Sequence, residues 1–199
     1  MYKVFYNQKP IYLTTSLVKN SDQTPIFFAK FTTAATLIKA LSSKKVEGIY
    51  LYHSKQKKLE RHFIKRFPLV EAAGGLVEHK NGSFLFIYRN DKWDLPKGKI
   101  EKQEIIFEGA IREVSEETGV RGLTLVRPLS STYHVYKANG RFKLKKTYWF
   151  LMSTEAETPL VPQLEENIEK AVWVQKSEIP TLLKNAYENI KILFEEIDQ

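Results

Sequence analysis

The stretch from Glu104 to Gly119 constrains this chain more than any other. Phe107, Ala110, Ile111, Val114 and Thr118 form one largely apolar arc when residues are spaced at about 100°. A helix over about 104–118 must therefore press that arc against a sheet. Gly119 follows as the left-handed cap that ends it. Glu113, Glu116 and Glu117 lie together beside the apolar arc, and three like charges so close repel one another. A divalent cation reverses that sign, and Mg²⁺ is a hard ion that prefers carboxylate oxygens. Arg112 stands one turn before Glu116, placed to orient its carboxylate. Gly109, one turn before Glu113, is expected to leave room for metal or phosphate. Gly98 is expected to permit an unusual backbone in the loop before the helix. Glu104 is half a turn out of phase with Glu113 and reads as structural, supporting the loop or the helix start.

The rest of the chain supplies that sheet. Val70–Val77 and Phe84–Tyr88 read as strands flanking the hairpin signal Asn81-Gly82. A loop over Asn90–Gln103 precedes the helix. Ser131–Lys137 and Arg141–Met152 flank a second turn, Asn139-Gly140. Ala171–Val174 is a last short strand, and Ser177 is expected to cap a closing helix through about Ile197. Before Pro68 the pattern differs. Tyr2–Tyr6, Ile11–Thr14, Ile26–Phe31 and Glu47–Tyr52 read as short strands, and Thr33–Leu41 and the Leu59–Phe67 stripe as helices. Phe67-Pro68 is the expected boundary between a small basic α/β domain (1–67) and a larger one (68–199).

Charge divides the same way. Residues 1–66 hold 13 Lys and Arg against 3 Asp and Glu, whereas the remainder is close to neutral. That basic surface reads first as a solvated face, and second as one that attracts a polyanion. A composition of 43% hydrophobic and 27% charged residues suits a globular core, and the lack of cysteine excludes disulfides and thiolate metal sites. The N-terminus lacks a basic start followed by an apolar run, and no stretch reaches the length of a membrane span. The expectation is a cytoplasmic protein with no membrane partner.

Taken together, Gly98, Glu104, Arg112-Glu113-Val114, Glu116-Glu117 and Gly119-Val120 resemble the Nudix box, Gly-x5-Glu-x7-Arg-Glu-U-x-Glu-Glu-x-Gly-U with U aliphatic. Every specified position matches. The wider resemblance runs from about Leu69 to Ile197. It implies an α/β fold, an α/β/α sandwich with a mixed sheet, and hydrolysis of a nucleoside diphosphate linked to another moiety. It also implies Glu113, Glu116 and Glu117 as ligands of Mg²⁺ or Mn²⁺. Glu113 would polarise the attacking water, with Arg112 beside it. Family members often add a carboxylate from a loop before the last strand, and here Glu165 and Glu166 both qualify.

Substrate choice is less marked. Trp93-Asp94-Leu95-Pro96-Lys97-Gly98 resembles the approach to the box in dinucleoside polyphosphate and diphosphoinositol polyphosphate hydrolases. Lys97 and Lys99 are then expected beside a polyphosphate. Arg141, Lys143 and Lys145 share one strand face, so Lys145 joins the candidate contacts. Tyr136 lies where diadenosine polyphosphate hydrolases carry a tyrosine. Tyr133, Tyr136 and Tyr148 either stack on a base or pack internally. Two alternatives stay open beside a small-molecule nucleotide or polyphosphate substrate. One is removal of oxidised nucleoside triphosphates. The other is a nucleic-acid-binding regulator on this scaffold, which the intact glutamates disfavour. A homodimer is left open.

Overall fold

The computed structural model describes residues 2–197. In chain order the strands and helices are β1 (Tyr2–Tyr6), β2 (Lys9–Thr14), β3 (Ile26–Phe28), α1 (Ala34–Ser42), β4 (Ile49–Tyr52) and α2 (Gln56–Arg66). There follow β5 (Leu69–His79), β6 (Ser83–Arg89), β7 (Lys92–Asp94), β8 (Lys97–Lys99), α3 (Ile106–Thr118), β9 (Thr124–Ala138) and β10 (Arg141–Thr154). The chain closes with β11 (Ile168–Gln175), α4 (Ile179–Leu182) and α5 (Glu188–Ile197). These elements form two compact units, one of residues 1–70 with 132–146, the other of 71–131 with 147–199. The sequence reading divides the chain once, at 67/68. The structure instead groups the outer half of the long β9–β10 hairpin with the N-terminal residues. A hairpin of this length can serve two cores because each needs only a few of its residues.

In the first unit the strands run β3-β4-β2-β1-β9. Asn7 and Gln8 both adopt positive φ (46° and 67°), which closes a two-residue turn and draws Lys9 and Pro10 into β2. Thr33 caps α1, its hydroxyl accepting from the Thr36 N–H. Strict alternation sends Ile11, Leu13, Ile49 and Leu51 to one sheet face. There Leu37 and Leu41 of α1 and Leu59 and Phe63 of α2 cover them. Val135 and Leu144 of the hairpin join the same core.

In the second unit the strands run β11-β6-β5-β10-β9, with β7 beside β6 and β8 beside β5. Phe84 and Phe86 of β6 face α5, meeting Ile190, Leu193 and Phe194. Ala73, Val77 and Leu85 face α3 through Ala110 and Val114. The result is a sheet with helices on both faces, an α/β/α sandwich.

Two expectations change here. The Asn90–Gln103 loop contains β7 and β8, and α3 starts at Ile106. The closing helix is not one element from Ser177. Gln175 is the cap, in reciprocal bonds with Glu178, and helical geometry lapses between α4 and α5. Ala186 there bridges to Trp93, whose carbonyl accepts the Tyr187 N–H (3.4 Å). Pairing with β7 outweighs local helix continuity. Among the described residues no helix is long and apolar enough to cross a membrane.

Candidate active site

Antiparallel pairing of β5 with β8 sets Gly98 opposite Ala73, and α3 packs against the same strands. The first turn of α3 is preceded by Glu104, whose Oε2 accepts the Glu101 N–H (2.8 Å). Gly119 ends the helix in the left-handed region (φ 77°), donating its N–H to the Ser115 carbonyl.

Arg112 organises the helix edge. Its Nε and Nη2 grip both oxygens of Glu104 (2.7 and 3.0 Å), a fork-on-fork pair. Its Nη1 donates to Glu113 Oε1 and to Glu116 Oε2, each at 2.9 Å, and its Nη2 reaches the Lys99 carbonyl (3.2 Å). Glu113 and Glu116 therefore face each other across one nitrogen. Arg112 and the Glu101 N–H hold the Glu104 carboxyl down at about 2. The same bonds, Glu104 foremost, raise the guanidinium above its usual range.

Both glycines of this region act differently from the sequence reading. Gly98 lies in extended strand rather than in an unusual backbone; a Cβ there would sit 1.8 Å from Glu113 Oε2. The missing side chain is the seat of Glu113. A Cβ on Gly109 would meet Glu104 Oε2 at 2.8 Å, so the space belongs to Glu104 and not to metal or phosphate.

Glu117 departs most from expectation. The helical wheel puts it on an exposed edge, yet it is 1% exposed. Its Oε2 accepts the Lys97 N–H (2.8 Å), and its Oε1 lies 3.7 Å from Arg89 Nη1. Burial pushes its carboxyl up to about 7, against the pull of Lys97 and Arg89 and with a further push from Asp94. Asp94 is equally buried, bound to Arg89 Nε (3.1 Å), to Lys97 Nζ (2.5 Å) and to the Leu95 N–H (2.9 Å). Burial raises its carboxyl, but Lys97 and Arg89 more than reverse this and leave it below the ordinary range.

Lys97, expected beside a polyphosphate, instead has a side chain only 7% exposed, with its ammonium bound to Asp94. Arg89 and Asp94 were not singled out from sequence. The signal available was a basic residue ending the apolar run of β6, five residues before an aspartate.

The acidic loop before β11 is tied to the end of α3. The Val161 N–H reaches the Thr118 carbonyl (2.8 Å) and the Gln163 N–H reaches the Glu117 carbonyl (3.1 Å). The loop then turns through Leu164–Glu166. Burial pushes the Glu113 carboxyl up, Arg112 pulls it back, and the charges of Glu116 and Glu166 push it up again. Glu166 of this loop is thus one of the charges acting on Glu113. Beside Glu113 lies a cavity of about 660 Å³ lined also by Lys99, Ile100, Glu101 and Lys102. Tyr136 and Lys145 belong to the first unit, where the Lys145 ammonium stands 5.4 Å from the Tyr136 ring centre. Tyr148 donates to Glu71 (2.6 Å).

The donor set suits a hard divalent cation: carboxylate oxygens only, one of them seated on a glycine, with no competing thiolate. Among the described residues no three acidic or histidine groups form a ready cage, because Arg112 holds Glu113 and Glu116.

The model of the NUDIX domain matches residues 68–196, well over half of the chain. The chain belongs to the Nudix family. Over 107 residues this Nudix protein is 36% identical to a Mycobacterium tuberculosis protein provisionally named mutator protein MutT4, covering 54% of this chain and 41% of that one. It is 31% identical over 112 residues to Nudix hydrolase 5 of Arabidopsis thaliana, covering 53% and 36%. The chain thus spans less than half the length of either relative. The crystal structure of a C. elegans Ap4A hydrolase binary complex shares the fold, with TM-score 0.50 and 22% identity over 65% of this chain and 95% of that one.

Proposed function

We propose that this Nudix chain hydrolyses a diphosphate linkage with Mg²⁺ or Mn²⁺, and that its substrate is a dinucleoside polyphosphate or a similarly charged polyphosphate. One observation carries the reading. Arg112 Nη1 gathers Glu113 and Glu116, Glu113 lies one helical turn before buried Glu117 and within the field of loop Glu166, and Glu113 lines a cavity together with Lys99 and Lys102. Glu113, Glu116 and Glu117 would hold the metal, with Glu166 adjoining. When bound, a divalent ion supplies positive charge to the bridging phosphates and acidifies a water.

The chain's own groups do the rest. Lys99 and Lys102 draw phosphate oxygens into the cavity as point charges. Arg112 keeps Glu104 while yielding its bonds to Glu113 and Glu116, so the guanidinium maintains the helix edge. Glu113, its basicity raised by burial, accepts a proton from water at Oε2 as the water oxygen attacks phosphorus in line. The bridging P–O bond breaks, and the second phosphate leaves with the electron pair. The N-terminal unit would be an accessory to this reaction, and a homodimer is compatible with it.

A panel with Mg²⁺ tests the reading: dinucleoside polyphosphates, diphosphoinositols, ADP-ribose and oxidised nucleoside triphosphates. Faster turnover of the first two, abolished by chelation and lowered a hundredfold or more by Glu116→Gln, supports it. Preference for oxidised triphosphates would replace the substrate assignment. Metal-independent turnover, or an unimpaired Glu116→Gln enzyme, would remove the site assignment.

A further inference from the structure

The first unit has a sheet with helices on one face only. Ile11, Leu13, Ile49 and Leu51 point to the helices and are at most 5% exposed. The alternate residues point the other way, and they are mostly aromatic. Register places Tyr12 opposite Tyr50, and Tyr52 opposite Phe28. The Tyr12 and Tyr50 rings are stacked at 4.9 Å and 25°; Phe28 meets Tyr52 edge-on at 5.7 Å and remains 51% exposed. Tyr12, Tyr50 and Tyr52 are partly exposed beside exposed Phe28, and sheet positions that reach water are ordinarily polar, so a platform of four rings needs another reason.

Cations frame this platform. Lys3 pairs with Tyr12 at its β1 edge. Beyond β1 the hairpin continues the same surface. His134 pairs with Phe5, its ring stacks near Tyr136 (6.4 Å, 20°), and Lys145 stands over that tyrosine. Arg141 and Lys143 alternate with Phe142 and Leu144, which join the core, and so share the platform side with Lys145. The whole unit holds 18 Lys and Arg against Asp22, Glu47 and Glu60, none of which lies on a strand. Tyr136, Lys145 and the basic strand thereby acquire a common setting within the first unit.

We propose that this face of the N-terminal unit binds single-stranded RNA. Unpaired bases offer flat faces to Tyr12, Tyr50, Tyr52 and Phe28, and stacking of this kind is tolerant of sequence. Tyr50 and Tyr52, two residues apart on one strand, are spaced about 7 Å apart, room for a base on each. The lysines meet the phosphates, and a duplex is excluded because its base faces are hidden. Three of the four rings end in hydroxyls, which donate and accept as a ribose 2′-hydroxyl requires. The proposal does not depend on the hydrolase reading.

The test is binding of a labelled single-stranded RNA of about ten nucleotides to the full chain at low salt, with chelator present, followed by fluorescence anisotropy. Tyr50→Ala and Phe28→Ala should each weaken binding by about fivefold or more, and Lys143→Ala should lower the slope of log affinity against log salt by about 0.7. Tyr50→Phe should retain stacking but narrow the preference for RNA over DNA. All four should hydrolyse a small diphosphate substrate at the wild-type rate. Phe28 is more than half exposed, so its variant tests the platform even if Tyr50→Ala fails to fold. Wild-type binding that is absent, equally tight for a duplex, or unmoved by loss of the rings overturns the proposal. Equal binding of single-stranded DNA overturns the assignment to RNA.

Discussion

Replacing Gly98 by alanine separates the geometry of the site from the stability of the fold. The added Cβ would lie 1.8 Å from Glu113 Oε2 and 2.1 Å from its Cδ, distances that cannot persist. What must move is the tip of a flexible side chain. Gly98 sits in extended strand, so alanine itself is tolerated, and the stiffer unfolded chain contributes about 0.4–1 kcal/mol in its favour. Against that stands one half-buried contact between Glu113 and Arg112, about 1 kcal/mol at most, while Arg112 keeps Glu104 and Glu116. The terms nearly cancel, so the melting temperature should move by no more than roughly 4 °C. Turnover should nevertheless fall by about 10²–10⁴, the contribution of a displaced general base. Gly74→Ala is the contrast. Its Cβ would meet the Pro96 carbonyl oxygen at 2.4 Å and the Lys97 Cα at 2.9 Å, backbone atoms of the β5–β8 pairing. That variant should lose about 3 kcal/mol. Urea unfolding and Mg²⁺-dependent kinetics on both variants decide the matter. Wild-type turnover in Gly98→Ala, or unfolding as severe as in Gly74→Ala, would refute the role given to this glycine.

Three other perturbations have definite signs. Burial raises Glu117 from an unfolded value near 4.5 to about 7, so in metal-free protein the contribution of this one group to stability is fully present below pH about 4.5 and is lost as pH rises through 7. Glu117→Gln keeps an acceptor for the Lys97 N–H. It should therefore be more stable than wild type at pH 8, by at most about 3 kcal/mol, with the gap closing at pH 5 in chelator and with little activity left. A gap that persists on acidification would contradict the buried charge. Lys97→Ala should destabilise by about 3–5 kcal/mol, because it strips buried Asp94 of a partner, while Lys99→Ala should melt normally and raise KM for the most charged substrates. Parallel melting curves would erase the distinction between the two lysines. Arg112→Lys should behave like a loss, since an ammonium cannot fork onto Glu104 while reaching Glu113 and Glu116; full activity would show that charge alone suffices there.

Much of the local structure was legible because local physics determines it. The periodicity of Ala110 and Val114 places α3, Gly119 ends it in the left-handed region, and Asn81-Gly82 and Asn139-Gly140 turn their hairpins. The breaks at Leu183–Tyr187 and the two small strands before α3 were not legible. The breaks depend on the backbone of β7 pairing with Ala186 and Tyr187, nearly a hundred residues away, and the two strands depend on pairing with β6 and β5.

The same division applies to the residues of the box. Their spacing by itself determined which carboxylates share a helix edge, and which family the pattern resembles. Only the tertiary structure decided that Glu117 is buried, that Lys97 neutralises Asp94, and that Gly98 and Gly109 clear space for Glu113 and Glu104. Angular position on a helix is a property of the chain. Burial, and whether a charge has a partner, are properties of what packs against it.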